Sequence, residues 1–124
     1  MPRRQTGSAM KRGEIRYVDL DPVRGSEANK RRPAVVVSNE HANQAAVGLG
    51  RGVITVVPLT SNTTRVLSFQ VLLHARETGL PRDSKAQPEQ IRAVSVHRIG
   101  EVAGWVPPKL MREIDAAIRV HLQL

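Results

Sequence analysis

Two residues next to predicted strands have side chains that suit phosphate chemistry. Pro33 restricts the preceding Arg32 to an extended backbone, so the Arg32 side chain projects where the apolar run 33–38 begins. A guanidinium can hold a phosphate through two hydrogen bonds and stabilise the charge that develops on it in a transition state. An arginine exposed beside a loop is the commoner situation, so residue type alone does not establish a site. Lys30 and Arg31 add positive charge to the same segment.

Thr60 follows the apolar run Val53–Leu59 and begins a polar segment that continues through Ser61 and Asn62. Functional side chains often emerge at the end of a rigid strand. The Thr60 hydroxyl is able to bond a phosphate oxygen or orient an attacking group, with Ser61 in support. A threonine that caps a turn is the more frequent role for this residue type.

A third candidate is the pair Glu89-Gln90. The Glu89 carboxylate would serve as a general base or orient a bound chain, and a hydrogen bond in the core or at a dimer interface explains it equally well. The four histidines have no spacing that indicates cooperation or a metal motif, so we interpret them as surface or structural residues.

Length and composition limit the possible classes of protein. The chain has 124 residues, the size of one domain, and a net charge of +8, and four of the basic residues lie in the acid-free segment 1–12. This balance favours nucleic acid or an acidic peptide as partner, although a solvated basic surface explains it equally well. The absence of cysteine excludes disulfides and thiolate metal sites. No apolar run is long enough for a membrane span or signal peptide, so we expect a cytoplasmic protein.

Apolar periodicity predicts a mainly β domain with one C-terminal helix. Residues 1–10 are polar and aperiodic and are predicted to be a disordered leader, and residues 11–124 form the domain. Strands are predicted at 14–20, 33–38, 53–59, 69–73 and 99–102, with an extended stretch at 85–96, at most one helical turn in 40–52 and a loop at 75–84. Apolar residues recur at helical spacing from Leu110 to Leu122. Consecutive strands without intervening helices indicate a small, twisted antiparallel barrel with the helix packed on it.

The order and spacing of several segments resemble those of the MazF/PemK family of endoribonuclease toxins. The similar segments are Arg12-Gly13-Glu14-Ile15, Val18-Asp19-Leu20-Asp21-Pro22, Gly25-Ser26-Glu27, Arg32-Pro33-Ala34-Val35-Val36-Val37, Val57-Pro58-Leu59-Thr60-Ser61 and Glu89-Gln90-Ile91-Arg92. The resemblance extends from about Lys11 to Leu124 and implies an SH3-like barrel of the MazF/CcdB type.

The resemblance also implies an activity and a set of site residues. It implies a toxin that cleaves single-stranded messenger RNA at specific sequences without metal or cofactor, leaves 2′,3′-cyclic phosphate and 5′-hydroxyl ends, and stops growth. The family's catalytic arginine and threonine correspond to Arg32 and Thr60, and Glu89 is a third, less settled candidate. The residues expected to bind RNA are Lys30, Arg31, Ser61, Asn62 and Gln90.

Two partners are expected besides RNA. A small core and the family resemblance predict a homodimer, with the segment 86–92 or the C-terminal helix as candidate interfaces. The basic segment 30–32 would also attract the acidic, disordered C-terminal tail of a cognate antitoxin.

Two other functions remain open at this point. A gyrase poison shares the fold superfamily, but that branch carries a tryptophan near its C-terminus, whereas Trp105 here precedes the last helix. A basic barrel that binds RNA without cutting it fits the composition equally well.

Overall fold

The structure, a computed structural model, describes residues 10–20 and 31–124. Lys30 and the residues 1–9 of the expected leader lie outside this range. The strands are β1 Glu14–Asp19, β2 Arg31–Val36, β3 Val53–Thr60, β4 Val71–Leu73, β5 Ser84–Ala86, β6 Arg92–Ser95 and β7 Ile99–Trp105. The helices are α1 Glu40–Leu49, α2 Ala75–Thr78 and α3 Pro108–Leu122, and short 3-10 turns cover Pro88–Gln90 and Val96–Arg98.

The strands form one curled antiparallel sheet, a half-barrel, in the order β4-β5-β3-β2-β1-β7. β3 is central because it pairs with β2 along one edge and with both β5 and β6 along the other. Every strand pair in the described residues is antiparallel, which confirms the predicted pairing. The predicted fold class, a mainly β barrel with a C-terminal helix, is therefore confirmed.

Both faces of the central part of the sheet are buried, which explains the uninterrupted apolar runs at 34–36 in β2 and 56–59 in β3. Successive residues of a strand point to opposite faces, so Val56 and Val57 join different clusters. Val57 packs in the cluster that contains Ile114 of α3. Val56 packs in the cluster that contains Ala46 of α1. Met10, the last residue of the predicted leader, is also buried in this second cluster.

The segment that was expected to hold one short helical turn instead forms the ten-residue helix α1. Asn39 caps its first turn through its side-chain oxygen, and Gly50 ends it at a positive φ of 67°. Apolar periodicity did not predict this helix, because its buried face consists of only Asn43 and Ala46. Asn43 is fully buried and donates to the Ser38 backbone oxygen over 2.9 Å, so an amide replaces the usual apolar side chain.

The stretch 85–96, predicted to be extended throughout, is divided into β5 and β6 by the turn Pro88–Gln90. Pro88 has no backbone N–H to give to a strand partner, and its fixed φ suits the first position of a helical turn. The strand expected at 69–73 covers only Val71–Leu73. The loop expected at 75–84 contains α2 and the first residue of β5, and the last strand continues to Trp105.

The predicted C-terminal helix is confirmed as α3. Met111 and Ile114 form its buried face, and no side chain caps its N-terminus. Arg12 connects the start of the domain to this helix, because its guanidinium lies 2.6 Å from the Asp115 carboxylate and also donates to the Val37 carbonyl over 2.7 Å. None of the helices in the described part of the chain is both long and apolar enough to cross a membrane.

Candidate active site

Arg32 and Thr60 line one cleft at one end of the sheet. β2 and β3 are antiparallel neighbours, so the start of β2 and the end of β3 lie at the same end. The cleft has a volume of about 330 Å³ and is named here the Thr60 cleft. Its lining residues are Tyr17, Arg32, Pro33, Leu59, Thr60, Ser61, Leu80, Pro81, Arg82 and Ser84. The structure therefore brings together the two residues that were predicted to be catalytic, with Ser61 beside them.

The Arg32 side chain is exposed, and its backbone is fixed by the pairing of β2 with β1, where Arg32 lies opposite Val18. Among residues 10–20 and 31–124, no carboxylate pairs with the Arg32 guanidinium and no hydrogen bond engages it. A rigid strand thus presents a positive charge and a planar set of N–H donors to the cleft. This arrangement suits a phosphate.

The Thr60 hydroxyl is held by the turn that follows β3. Its oxygen accepts a hydrogen bond of 3.2 Å from the Asn62 backbone N–H, which leaves its own proton available for donation. The Thr60 backbone is fixed by pairing with Lys85 of β5. Asn62 itself shapes the turn, because its side-chain oxygen accepts from the Thr64 N–H over 3.3 Å, and it does not line the cleft.

A second cleft of about 360 Å³ also contacts Arg32, and we name it the Gln90 cleft. It is lined by Leu20, Arg32, Pro58, Leu59, Gln87, Gln90 and Arg92. Gln90, predicted to bind RNA, is therefore close to Arg32 and lies outside the Thr60 cleft. The two clefts share only Arg32 and Leu59, so Arg32 lies between them.

Sequence analysis missed three polar residues that line the Thr60 cleft, namely Tyr17, Arg82 and Ser84. Tyr17 reaches it because β1 pairs with β2, which places Tyr17 opposite Pro33. Ser84 reaches it because it begins β5, which pairs with β3, and Arg82 lies two residues before Ser84. Such pairings join residues far apart in the chain. The one local feature that could have indicated Arg82 is its position directly after Pro81.

The segment that carries Arg82 and Ser84 is held by Asp83 between them. The Asp83 carboxylate accepts from the Ala75 backbone N–H over 2.8 Å and lies 3.5 Å from the His74 ring. The hydrogen bond from the Ala75 N–H is the main cause that lowers the pKa of Asp83, and the interaction with His74 lowers it further. The Asp83 carboxylate is therefore ionised at neutral pH.

Arg31 does not line either cleft. Successive strand residues point to opposite faces, and the Arg31 guanidinium packs over Gly100 and pairs with Glu101 over 2.8 Å. A hydrogen bond from the Glu101 backbone N–H is the main cause that lowers the pKa of the Glu101 carboxyl, and the charge of Arg31 lowers it further. Arg31 thus forms an ion pair that connects β2 to β7, and it lies outside the clefts in which an RNA-binding residue was expected.

Glu89 does not line either cleft. One of its carboxylate oxygens accepts from the Gln70 side-chain amide over 2.6 Å, and the other is buried without a partner among the described residues. The turn that contains Glu89 packs against α3. The structure therefore separates Glu89 from Arg32 and Thr60, and it favours the hydrogen-bonding alternative for this residue.

The described residues contain no group of three or more histidine, aspartate or glutamate side chains arranged to hold a metal ion. His41, His97 and His121 are exposed, and His74 pairs with Asp83. These positions agree with the interpretation of the histidines as surface or structural residues.

Comparison with known families places this chain in a class of toxins. Residues 11–122 match the family described as the PemK-like, MazF-like toxin of type II toxin–antitoxin systems. The match covers most of the chain, and the chain therefore belongs to this family.

Individual relatives agree with this assignment. The chain is 57% identical over 115 residues to Endoribonuclease MazF9 of Mycobacterium tuberculosis, covering 93% of this chain and 98% of that protein. The fold is similar to the crystal structure of MazF from Deinococcus radiodurans, with a TM-score of 0.73, 23% identity and coverage of 93% and 97%. An endoribonuclease from a mycobacterial species, in complex with its cognate antitoxin, has a TM-score of 0.69 at 22% identity, covering 94% of this chain and 95% of that one.

Proposed function

We propose that this chain is the toxin of a toxin–antitoxin pair and an endoribonuclease that cuts single-stranded messenger RNA at specific sequences. The observation that carries the proposal is the Thr60 cleft, in which Arg32 and Thr60 meet at the ends of two paired strands. The chain belongs to a toxin family, and a relative of 57% identity is named an endoribonuclease. Messenger RNA as substrate places the activity in the cytoplasm.

The proposed reaction is attack by a ribose 2′-oxygen on the adjacent phosphorus. The new bond joins the 2′-oxygen to phosphorus, and the bond from phosphorus to the 5′-oxygen breaks. The 2′-hydroxyl loses its proton to a base, and the leaving 5′-oxygen gains a proton. The products carry a 2′,3′-cyclic phosphate and a 5′-hydroxyl.

Arg32 and Thr60 suit the charge that this reaction generates. The phosphorane concentrates negative charge on its nonbridging oxygens, and the Arg32 guanidinium offers two parallel N–H donors to them. The Thr60 hydroxyl offers a further donor from a fixed position, because its oxygen accepts a hydrogen bond from the Asn62 N–H. These donors stabilise the transition state without a metal ion, and single-stranded RNA allows the 2′-oxygen to align with the leaving oxygen.

Cleavage is expected to persist when divalent metal ions are removed. The experiment incubates the purified protein with a long RNA in excess EDTA and maps both ends of every product. We expect undiminished cutting with cyclic phosphate and 5′-hydroxyl ends. Activity that EDTA abolishes and magnesium restores would contradict the mechanism, and binding without cutting would support the noncatalytic barrel instead.

The proposal includes two protein partners, an antitoxin with an acidic C-terminal tail and a second copy of this chain. The exposed Arg32, which has no carboxylate partner in the described residues, suits an acidic tail. For the homodimer, the surface around α3 offers exposed apolar side chains, with Val120 at 73% and Phe69 at 39% exposure beside a groove of about 420 Å³. In the segment 86–92, by contrast, Ala86 and Pro88 are buried. These observations favour α3 as the interface.

We expect an acidic antitoxin peptide to compete directly with RNA for the homodimer. Both ligands are anionic and use Arg32, so Arg32→Ala should weaken both, and added salt should do the same. Fluorescence anisotropy with labelled RNA measures the competition, and sedimentation measures the oligomeric state. A ternary complex with unchanged RNA affinity would contradict the shared site, and a monomer at micromolar concentration would contradict the dimer.

A further inference from the structure

We propose that the two clefts beside Arg32 bind the two nucleotides that flank the cut, and that they recognise them by different means. In the Thr60 cleft, the Tyr17 ring stacks on a base and tolerates any base. In the Gln90 cleft, the Gln87 and Gln90 amides select one base through hydrogen bonds. This inference rests on the proposed function and specifies how its site reads RNA.

The walls of the Thr60 cleft are mainly apolar and include an aromatic ring. Tyr17 is half-buried and lies opposite Pro33, and Leu80 and Pro81 complete the walls. Tyr17 is the only one of the three aromatic residues in the chain that lines either cleft. A flat ring in a cleft with an apolar wall suits the face of a base. Stacking discriminates little between bases, because every base has a π face.

The Gln90 cleft is predominantly polar, and its glutamines lie on a fixed backbone. The Gln87 N–H donates to the Pro58 carbonyl over 3.0 Å, and the Gln90 N–H donates to the Gln87 carbonyl over 2.8 Å. In the described residues, no hydrogen bond occupies either side-chain amide. An amide with free donors and acceptors recognises the edge of one base and rejects bases with a different edge pattern. Arg92 adds a cation for the adjoining phosphate.

Arg32 determines where these subsites lie relative to the cut. It lines both clefts, whereas Thr60 lines only one of them. A phosphate held by Arg32 therefore has one cleft on each side, and its two nucleotides enter different clefts. The inference predicts a strict base requirement on one side of the cut and a relaxed requirement on the other.

The test is cleavage of a single-stranded RNA library that is randomised around the cut, followed by sequencing of both product ends. For the double variant Gln87→Ala/Gln90→Ala, we expect discrimination at the strict position to fall about tenfold or more. For Tyr17→Ala, we expect kcat/KM to fall about tenfold with unchanged base preference, and Tyr17→Phe, which keeps the ring, should recover most of the kcat/KM that Tyr17→Ala loses. Tyr17→Leu keeps apolar bulk without a flat ring and should resemble Tyr17→Ala, which separates the loss of the ring from the loss of side-chain bulk.

Gln44→Ala is the matched control, because Gln44 is exposed on α1 and lines neither cleft. It should leave rate and preference unchanged. Undiminished discrimination in the glutamine variant, or a changed base preference in Tyr17→Leu, would overturn the inference while RNA cleavage itself stands. A wild-type protein that cuts no RNA would instead overturn the proposed function.

Discussion

Replacing Arg32 with alanine is expected to lower the rate of RNA cleavage by about 100-fold or more without unfolding the protein. Loss of one donor to the developing charge of a transition state typically costs about 100- to 1,000-fold in rate. Arg32 is exposed, so its truncation leaves no cavity in the core. Single-turnover cleavage of a defined RNA, together with thermal unfolding, measures both parts of the prediction.

The controls separate the geometry of Arg32 from its charge. Arg32→Lys keeps the charge but loses the paired N–H donors, so we expect only partial activity. Arg112→Ala removes an exposed arginine from α3 and should cleave at the wild-type rate. Wild-type cleavage by Arg32→Ala would refute the assignment of this residue.

Replacing Thr60 with alanine is expected to lower cleavage by about 100-fold, again in a folded protein. The variant loses a hydroxyl donor at the reacting phosphate, while the pairing of β3 with β5 remains. The Asn62 N–H also loses its acceptor, but Asn62 is exposed and water replaces it at little cost in stability.

Thr60→Ser is the matched control, because it restores the hydroxyl at the same backbone position. We expect Thr60→Ser to recover most of the cleavage rate that Thr60→Ala loses. Equal rates for wild type and Thr60→Ala would refute a role for the hydroxyl. Failure of serine to rescue an impaired alanine variant would show that the methyl group of threonine matters instead.

The sequence predicted those parts of the fold in which apolar residues form the local pattern. β2 and β3 were predicted because both faces of each strand are buried, and α3 was predicted because Met111 and Ile114 recur at helical spacing. Helix α1 was missed because its contact with the core depends on a buried amide, Asn43, which no scale counts as apolar. The turn at Pro88 interrupted a stretch whose composition suits a strand.

The candidate site was predictable where a residue lies at the end of its own strand, as Arg32 and Thr60 do. Tyr17 joins the Thr60 cleft only through the pairing of β1 with β2, a long-range contact that a local pattern does not contain. The partners of Arg31 and Glu89, which are Glu101 and Gln70, are likewise distant in the chain. The sequence shows that these side chains are polar, but the tertiary fold determines which of them face the cleft.

The central claim is that the Thr60 cleft promotes attack by the substrate's own 2′-oxygen. The most direct test compares two short RNAs that are identical except for one 2′-deoxy nucleotide immediately before the mapped cut. Our account predicts rapid cleavage of the all-RNA strand and no cleavage at that bond in the deoxy strand, although both strands bind with similar affinity. Cleavage of the deoxy strand at the same bond and a similar rate would show that water or a protein group attacks the phosphorus, and would contradict the mechanism.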